Sequence, residues 1–186
     1  IQAVRMMVTP DWFEKQNDND DPFTANPDGF DMDNDEMNCL FAYLKVCEEL
    51  GVRVTLTWWG APAGHWLAHP NIGDWIGAPN DAEEMAENIS YLLQYIRKTL
   101  GYNCVKELII QNEPSYSFHV EGGAVDLDLY VACYKAMYKR LNDMGMGDIV
   151  LVGADDAQNF GWFCSAVEAL RDVCGKFNSH NYAWSY

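Results

Sequence analysis

Basic residues are scarce in this 186-residue chain: 12 Lys and Arg stand against 28 Asp and Glu, for a formal net charge of -16. Attraction to a phosphate backbone or to an anionic membrane surface is therefore unfavourable, and neither nucleic acid nor membrane is an expected partner. Long apolar runs are missing too, since none approaches the roughly 20 residues that a membrane-spanning helix needs. The six cysteines, Cys39, Cys47, Cys104, Cys133, Cys164 and Cys174, form no CxxC or CxxH pair of the zinc type. They lie far apart and mostly in helical patterns, and are expected to be buried free thiols rather than a disulfide framework. No strand-like segment is followed by the Gly-rich loop that cradles a dinucleotide. No strand end carries an H-x-H or a cluster of His and carboxylate ligands, so no metal and no cofactor is expected. An initiator Met is absent as well: the chain opens in the apolar run Ile1 to Val8 and stops at Tyr186 just after another. Both ends read as cuts through structure, the natural protein is expected to be longer, and the lack of a signal peptide carries no information.

What is present suffices for a core. With 49% hydrophobic residues, residues 1–186 are expected to form a single globular domain, or the central part of one. The spacing of apolar residues and their end signals predict four helices. The clearest runs from Asp81 to Leu100, with Met85, Ile89, Leu92, Leu93, Ile96 and Leu100 at helical intervals, an Asp81/Glu84 capping box and Gly101 as its stop. The others span Asp35 to Leu50, Asp126 to Met144, and Asn159 to Val173, with terminal glycines at Gly51, Gly145 and Gly175. Between them lie short apolar runs, Val4 to Val8, Val52 to Trp58, Leu108 to Gln111, Ile149 to Val152 and a weaker Phe177 to Asn181. Such runs suit strands buried on both faces of a parallel sheet.

This alternation specifies an α/β fold, either a (β/α)8 TIM barrel or an open doubly wound sheet, and periodicity alone does not choose between them. The missing phosphate loop weighs against the open sheet. Long aromatic-rich segments, Thr9 to Asn34, Trp59 to Asn80 and Pro114 to Val125, follow the strands' C-terminal ends, where a barrel builds its active site. The expectation is an incomplete barrel of five parallel strands, with both edge strands lacking partners from this chain.

The strongest chemical signal is Asn112-Glu113-Pro114 at the end of the strand Leu108 to Gln111. A carboxylate there can reach across a barrel mouth, while Pro114 ends the strand and starts the loop. A solvated polar turn is the plain alternative. Arg5 sits inside the apolar run Ala3 to Met7, where an unpaired charge would cost several kcal/mol, so it needs an anionic partner. His180 and Tyr182 are alternate residues at the end of the last run and can point the same way. The acidic stretch Asp18 to Asp35 has a D-x-D-x-D core, but Glu36 stands where an EF-hand needs Gly and Ala42 where it needs Glu. It reads as a solvated loop that caps the next helix rather than as a calcium site.

Together, strands ending in Arg5, Trp58-Trp59, Asn112-Glu113-Pro114 and His180-x-Tyr182 resemble strands two, three, four and six of the clan A glycoside hydrolases. Families 5, 30 and 39 share this order, and the stretches Gln111 to Pro114 and Trp58 to Trp66 look most similar to family 30. The resemblance implies a retaining TIM-barrel glycosidase that cleaves β-glycosidic bonds of an oligo- or polysaccharide by double displacement, with two carboxylates about 5 Å apart. Glu113 would be the catalytic acid/base and Asn112 the ligand of the sugar 2-hydroxyl. Arg5, His180 and Tyr182 would flank the nucleophile and the sugar. The nucleophile, a Glu of strand seven, would lie beyond this chain. A secreted or periplasmic location fits the resemblance, whereas the unpaired cysteines fit the cytoplasm. Trp59 and Tyr116 are the favoured aromatic platforms for sugar rings, ahead of Trp58, Trp66, Trp75 and Phe118, and His65 and His69 could line subsites. Two other readings stand beside this one: a barrel that binds carbohydrate without cleaving it, and a different, metal-dependent barrel hydrolase. Subunit number is not encoded in these features.

Overall fold

Strand and helix alternate as the pattern requires. A computed structural model describes residues 2–182. In chain order the elements are β1 (Ala3–Val8), α1 (Asp35–Leu50), β2 (Arg53–Trp58), β3 (Ala61–Pro62), β4 (Ile76–Gly77), α2 (Ala82–Gln94), β5 (Val105–Ile110), α3 (Pro114–Ser117), α4 (Leu127–Asp143), β6 (Val150–Ala157), α5 (Phe160–Leu170) and β7 (Lys176–His180). Five strands form one sheet in the order β1-β2-β5-β6-β7, every neighbouring pair parallel. The interleaved helices and sequential strand order are those of an incomplete (β/α)8 barrel, with β1 and β7 at the edges among the described residues.

Helix ends follow local chemistry. Asn34, one residue before the acidic Asp35, caps α1 by accepting from the Met37 N–H at 3.0 Å, and Gly51 closes it in the left-handed region at φ +64°. Asp81 caps α2 through the N–H groups of Glu83 and Glu84. The segment expected to stay α-helical up to Leu100 changes after Gln94 into a π-helical turn, Tyr95–Thr99. Helix α5 ends at Leu170, short of the expected Val173, because the Leu170 carbonyl takes the N–H groups of both Val173 and Cys174 in a closing turn. Two cysteines correct the expectation of burial: Cys39 of α1 and Cys164 of α5 are exposed, while all six are free thiols.

Alternation along the strands sorts the side chains. Val54, Leu56 and Trp58 of β2 and Leu108 and Ile110 of β5 join the hydrophobic core under the helices. The opposite face carries Arg5, Thr55, Thr57, Glu107, Asp155, Asn178 and His180, which hydrogen-bond among themselves. Pairing of β5 with β6 is short, covering only Glu107 with Val150 and Leu108 with Leu151, and the strands then separate toward their C-termini. The hydroxyl of Tyr134 on α4 fills that gap. It accepts from the Ile110 N–H at 3.1 Å and donates to the Val152 carbonyl at 2.7 Å, replacing a ladder rung that buried backbone could not leave open.

The loops over the C-terminal ends are tied down by one buried carboxyl. Glu14, 1% exposed, accepts from Asn88 Nδ2 of α2 at 2.8 Å, while Asn88 Oδ1 accepts from the Trp58 indole at 3.0 Å. The Glu14 carbonyl is met by His65 Nε2 and accepts from the Trp66 indole. Burial pushes the Glu14 carboxyl up to about 8 against the opposing hydrogen bond from Asn88. The segment 59–80 adds the antiparallel ribbon β3–β4, an element absent from the sequence expectation.

Candidate active site

The strand end before Glu113 is bent by its own backbone. Gln111 and Glu113 both occupy the left-handed region, at φ +69° and +50°, so the chain turns sharply before Pro114 opens the single-turn helix α3. Such conformations cost on the order of 1 kcal/mol each and persist where the surroundings over-determine them. Here Ser117 does so: its Oγ donates toward the carbonyls of Asn112 and Glu113 at 2.5 and 3.1 Å, and Gln111 Nε2 donates to the Ser117 carbonyl and Oγ at 3.0 and 2.9 Å. Glu113 is thereby aimed at the polar face of the sheet rather than into solvent.

Four of the expected residues meet Glu113 there. Arg5 Nη2 donates to Asn112 Oδ1 at 3.0 Å, and Arg5 Nη1 lies 3.0 Å from His180 Nε2. His180 Nδ1 lies 2.7 Å from Glu113 Oε1, and the Tyr182 hydroxyl donates to the same oxygen. Arg5, Glu113 and His180 keep 25%, 25% and 19% of their side chains exposed, so they form an open wall rather than an enclosed cavity.

The anion that Arg5 requires is Asp155, a residue unread in the sequence. Arg5 donates to it through both terminal nitrogens, Nη2 to Oδ2 at 2.7 Å and Nη1 to Oδ1 at 3.2 Å, while Arg5 Nε donates to Thr57 Oγ1 at 2.8 Å. Asp155 is fully buried, and Asn178 Nδ2 adds a bond to Oδ1 at 2.7 Å. It projects there because β6 bulges: Ala154 pairs with Asn178 and Asp156 with Ser179, leaving Asp155 as the extra residue at φ +44°. The signal available in the sequence was an acidic pair, Asp155-Asp156, continuing an apolar strand where unpaired charge is expensive.

Electrostatics on Glu113 run opposite to the ordinary requirement for an acid. Burial raises its affinity for the proton, but the hydrogen bonds from Tyr182 and His180 and the nearby positive charge outweigh burial and hold the carboxyl below its usual value. The same contact raises the Tyr182 phenol, whose ionisation would place a second anion against Glu113.

Trp59 and Tyr116 stand at the same end of the sheet; among the described residues neither side chain hydrogen-bonds to this network, although the Tyr116 N–H donates to the Glu113 carbonyl at 2.9 Å. The Trp59 N–H donates to the Val8 carbonyl, and its ring meets Trp75 edge-on at 5.1 Å. Tyr116 lies on α3 and is 57% exposed. The other aromatic candidates divide sharply: Trp58 and Phe118 are wholly buried, whereas Trp75 is 61% exposed. His65 is taken up in packing the loops, and burial lowers its pKa. In the acidic stretch, carboxylates mainly brace turns, as when Asp18 Oδ2 accepts from Asn19 and Asn26. Among the described residues, no three His, Cys, Asp or Glu side chains converge to hold a metal ion.

No family model matches the chain, and no curated protein matches it. Solved structures do. The catalytic domain of GH30 xylanase C from Talaromyces cellulolyticus superposes with a TM-score of 0.64 at 15% identity, covering 97% of this chain and 44% of that one. SrfJ from Salmonella typhimurium gives 0.68 at 20%, over 96% and 42%. The GH39 enzyme from Xanthomonas axonopodis pv. citri gives 0.56 at 13%, over 96% and 40%. The chain thus spans less than half the length of these structures. At such identities the likeness establishes the fold alone, a section of a β/α barrel.

Proposed function

We propose that this chain is the acid/base-bearing half of a retaining glycoside hydrolase that cleaves β-glycosidic bonds in an oligo- or polysaccharide, with Glu113 as the acid/base. The observation that carries this reading is the convergence on Glu113, at a parallel strand's C-terminal end, of His180 and Tyr182, with Arg5 joining Asn112 and His180 to the buried Asp155.

Arg5 fixes the Asn112 amide by occupying Oδ1, which leaves its NH2 as the group for an acceptor such as a sugar hydroxyl. Glu113 would protonate the departing oxygen and later, ionised, take a proton from water. The described residues favour its ionised form. A nucleophile carboxylate about 5 Å away would favour the protonated form before reaction and cease to do so once glycosylated. Trp59, Tyr116 and the exposed Trp75 offer flat faces for sugar C–H groups around the mouth.

The test uses the full-length protein, screened against aryl glycosides and plant, fungal and bacterial polysaccharides. Glu113→Ala should lower the rate on substrates with poor leaving groups by about 10² to 10⁴-fold while sparing formation of the glycosyl-enzyme from activated aryl glycosides. Equal loss on both kinds of substrate would remove Glu113 from the acid/base role. Wild-type binding of polysaccharide with no turnover would favour the non-catalytic barrel.

A further inference from the structure

One carboxyl of α2 is buried without a partner. Glu87 is 1% exposed, and among the described residues neither of its carboxyl oxygens makes a hydrogen bond. Two further orphaned acceptors act on it, Glu84 Oε2 one turn earlier on α2 and Asp18 Oδ1 on the segment that follows β1. That segment, 14–30, is laid against the helices at several points. Glu14 accepts from Asn88 Nδ2, next to Glu87, at 2.8 Å. Arg140 of α4 donates to the Pro22 carbonyl and stands 5.8 Å from the centre of the Phe23 ring. Asp18 gathers the segment on itself by accepting from Asn19 Nδ2 and the Asn26 N–H, and Gly29 passes so close that a Cβ there would strike the Asp18 side chain.

The charged groups facing Glu14 and Glu87 are mostly acidic: Asp18 and Asp21 from the segment, Asp81 and Glu84 from the start of α2, and Arg140 from α4. Arg140 gives Nη2 to a backbone carbonyl instead of to a carboxylate, and His65 meets the Glu14 carbonyl rather than its carboxyl. Ionised carboxyls only accept hydrogen bonds, so such a cluster holds no donor to satisfy its members. A proton turns one member into a donor and removes a buried charge in the same step. Burial, reinforced by the neighbouring carboxylates, accordingly pushes Glu14 up to about 8 and Glu87 up to about 7, and raises Glu84 as well.

We propose that segment 14–30 is a proton-operated latch, closed on α2 while Glu14 and Glu87 carry protons and loosened when they release them. Only O–H bonds break on opening, and each proton passes to solvent. The movement reaches the candidate site, because the Glu14 carbonyl is the point to which His65 and the Trp66 indole are tied, in the loop that also carries Trp59 and Trp75. A proton held more tightly in the closed form than in the open one favours closure fully below about pH 4.5. That support is lost as pH rises through about 7 and then about 8.

Hydrogen–deuterium exchange of the full-length protein in EDTA tests the latch, with peptides from 14–30 and 59–70 compared with β2 and β5. Corrected for intrinsic exchange rates, protection of the two segments should fall on the order of 10²-fold or more between pH 5 and pH 8, while the strands keep theirs. Protection that does not vary with pH, or that falls equally in the strands, overturns the proposal. Glu14→Gln and Glu87→Gln should each weaken the pH dependence and together abolish it; full dependence in the double variant overturns it as well. Should a variant fail to fold, the wild-type comparison of segments with strands still decides. Calcium added at the alkaline end should change nothing, since no three described carboxylates converge on a metal position; restored protection would make a bound cation the closing ligand and refute the proton latch. Exchange needs no turnover, so the outcome is independent of whether the protein cleaves glycosides.

Discussion

Glu14→Gln should flatten the dependence of stability on pH. Glu14 is 1% exposed, and its proton affinity is raised from 4.5 to about 8, chiefly by burial. A carboxyl whose folded value lies above its unfolded one stays protonated in the folded state over that interval, while the unfolded chain releases the proton. Stability contributed by this group is therefore unaffected below about pH 4.5 and falls as pH rises to about 8. At ~1.4 kcal/mol per pH unit, the ceiling on the loss is on the order of 4 to 5 kcal/mol. Gln keeps an acceptor for Asn88 Nδ2 and gives up only the 3.4 Å contact from the Asp18 N–H, a cost that does not vary with pH. Urea denaturation of full-length wild type and variant at acidic, neutral and alkaline pH should show the variant gaining on wild type by at least ~2 kcal/mol between pH 5 and pH 9. Parallel profiles would show that Glu14 ionises freely in the folded protein and would refute the reasoning.

Tyr134→Phe should cost about 1 to 3 kcal/mol in thermal or chemical denaturation, because it leaves the buried Ile110 N–H and Val152 carbonyl without their shared partner between β5 and β6; a neutral result would mean the two strands close directly. Gly60→Ala should both destabilise and lower activity: Gly60 lies at φ +128°, and a Cβ there would come within 2.7 Å of Gln111 Nε2, the side chain that braces the turn carrying Glu113. Unchanged activity in that variant would separate Gln111 from the placement of Glu113.

Sequence periodicity located every strand of the main sheet and all four long helices, since burial on both faces makes parallel strands continuously apolar and gives each helix one apolar stripe. The chemistry at strand ends was legible for the same reason. Arg5 inside an apolar run demanded an anion, and His180-x-Tyr182 placed two side chains on one face. The anion itself was hidden. Asp155 lies on a bulge, and the extra residue breaks the alternation by which a strand's faces are read. Glu14 was hidden for another reason: its burial depends on Asn88, 74 positions away, and on a loop whose acidic composition suggests only solvation.

Azide rescue of Glu113→Ala in the full-length protein decides whether Glu113 holds the proposed role, the acid/base of a retaining glycosidase. With an activated aryl glycoside the variant should accumulate glycosyl-enzyme, and azide, which needs no general base, should speed its breakdown to a β-glycosyl azide of retained configuration. No rescue, or an azide product of inverted configuration, would contradict the claim.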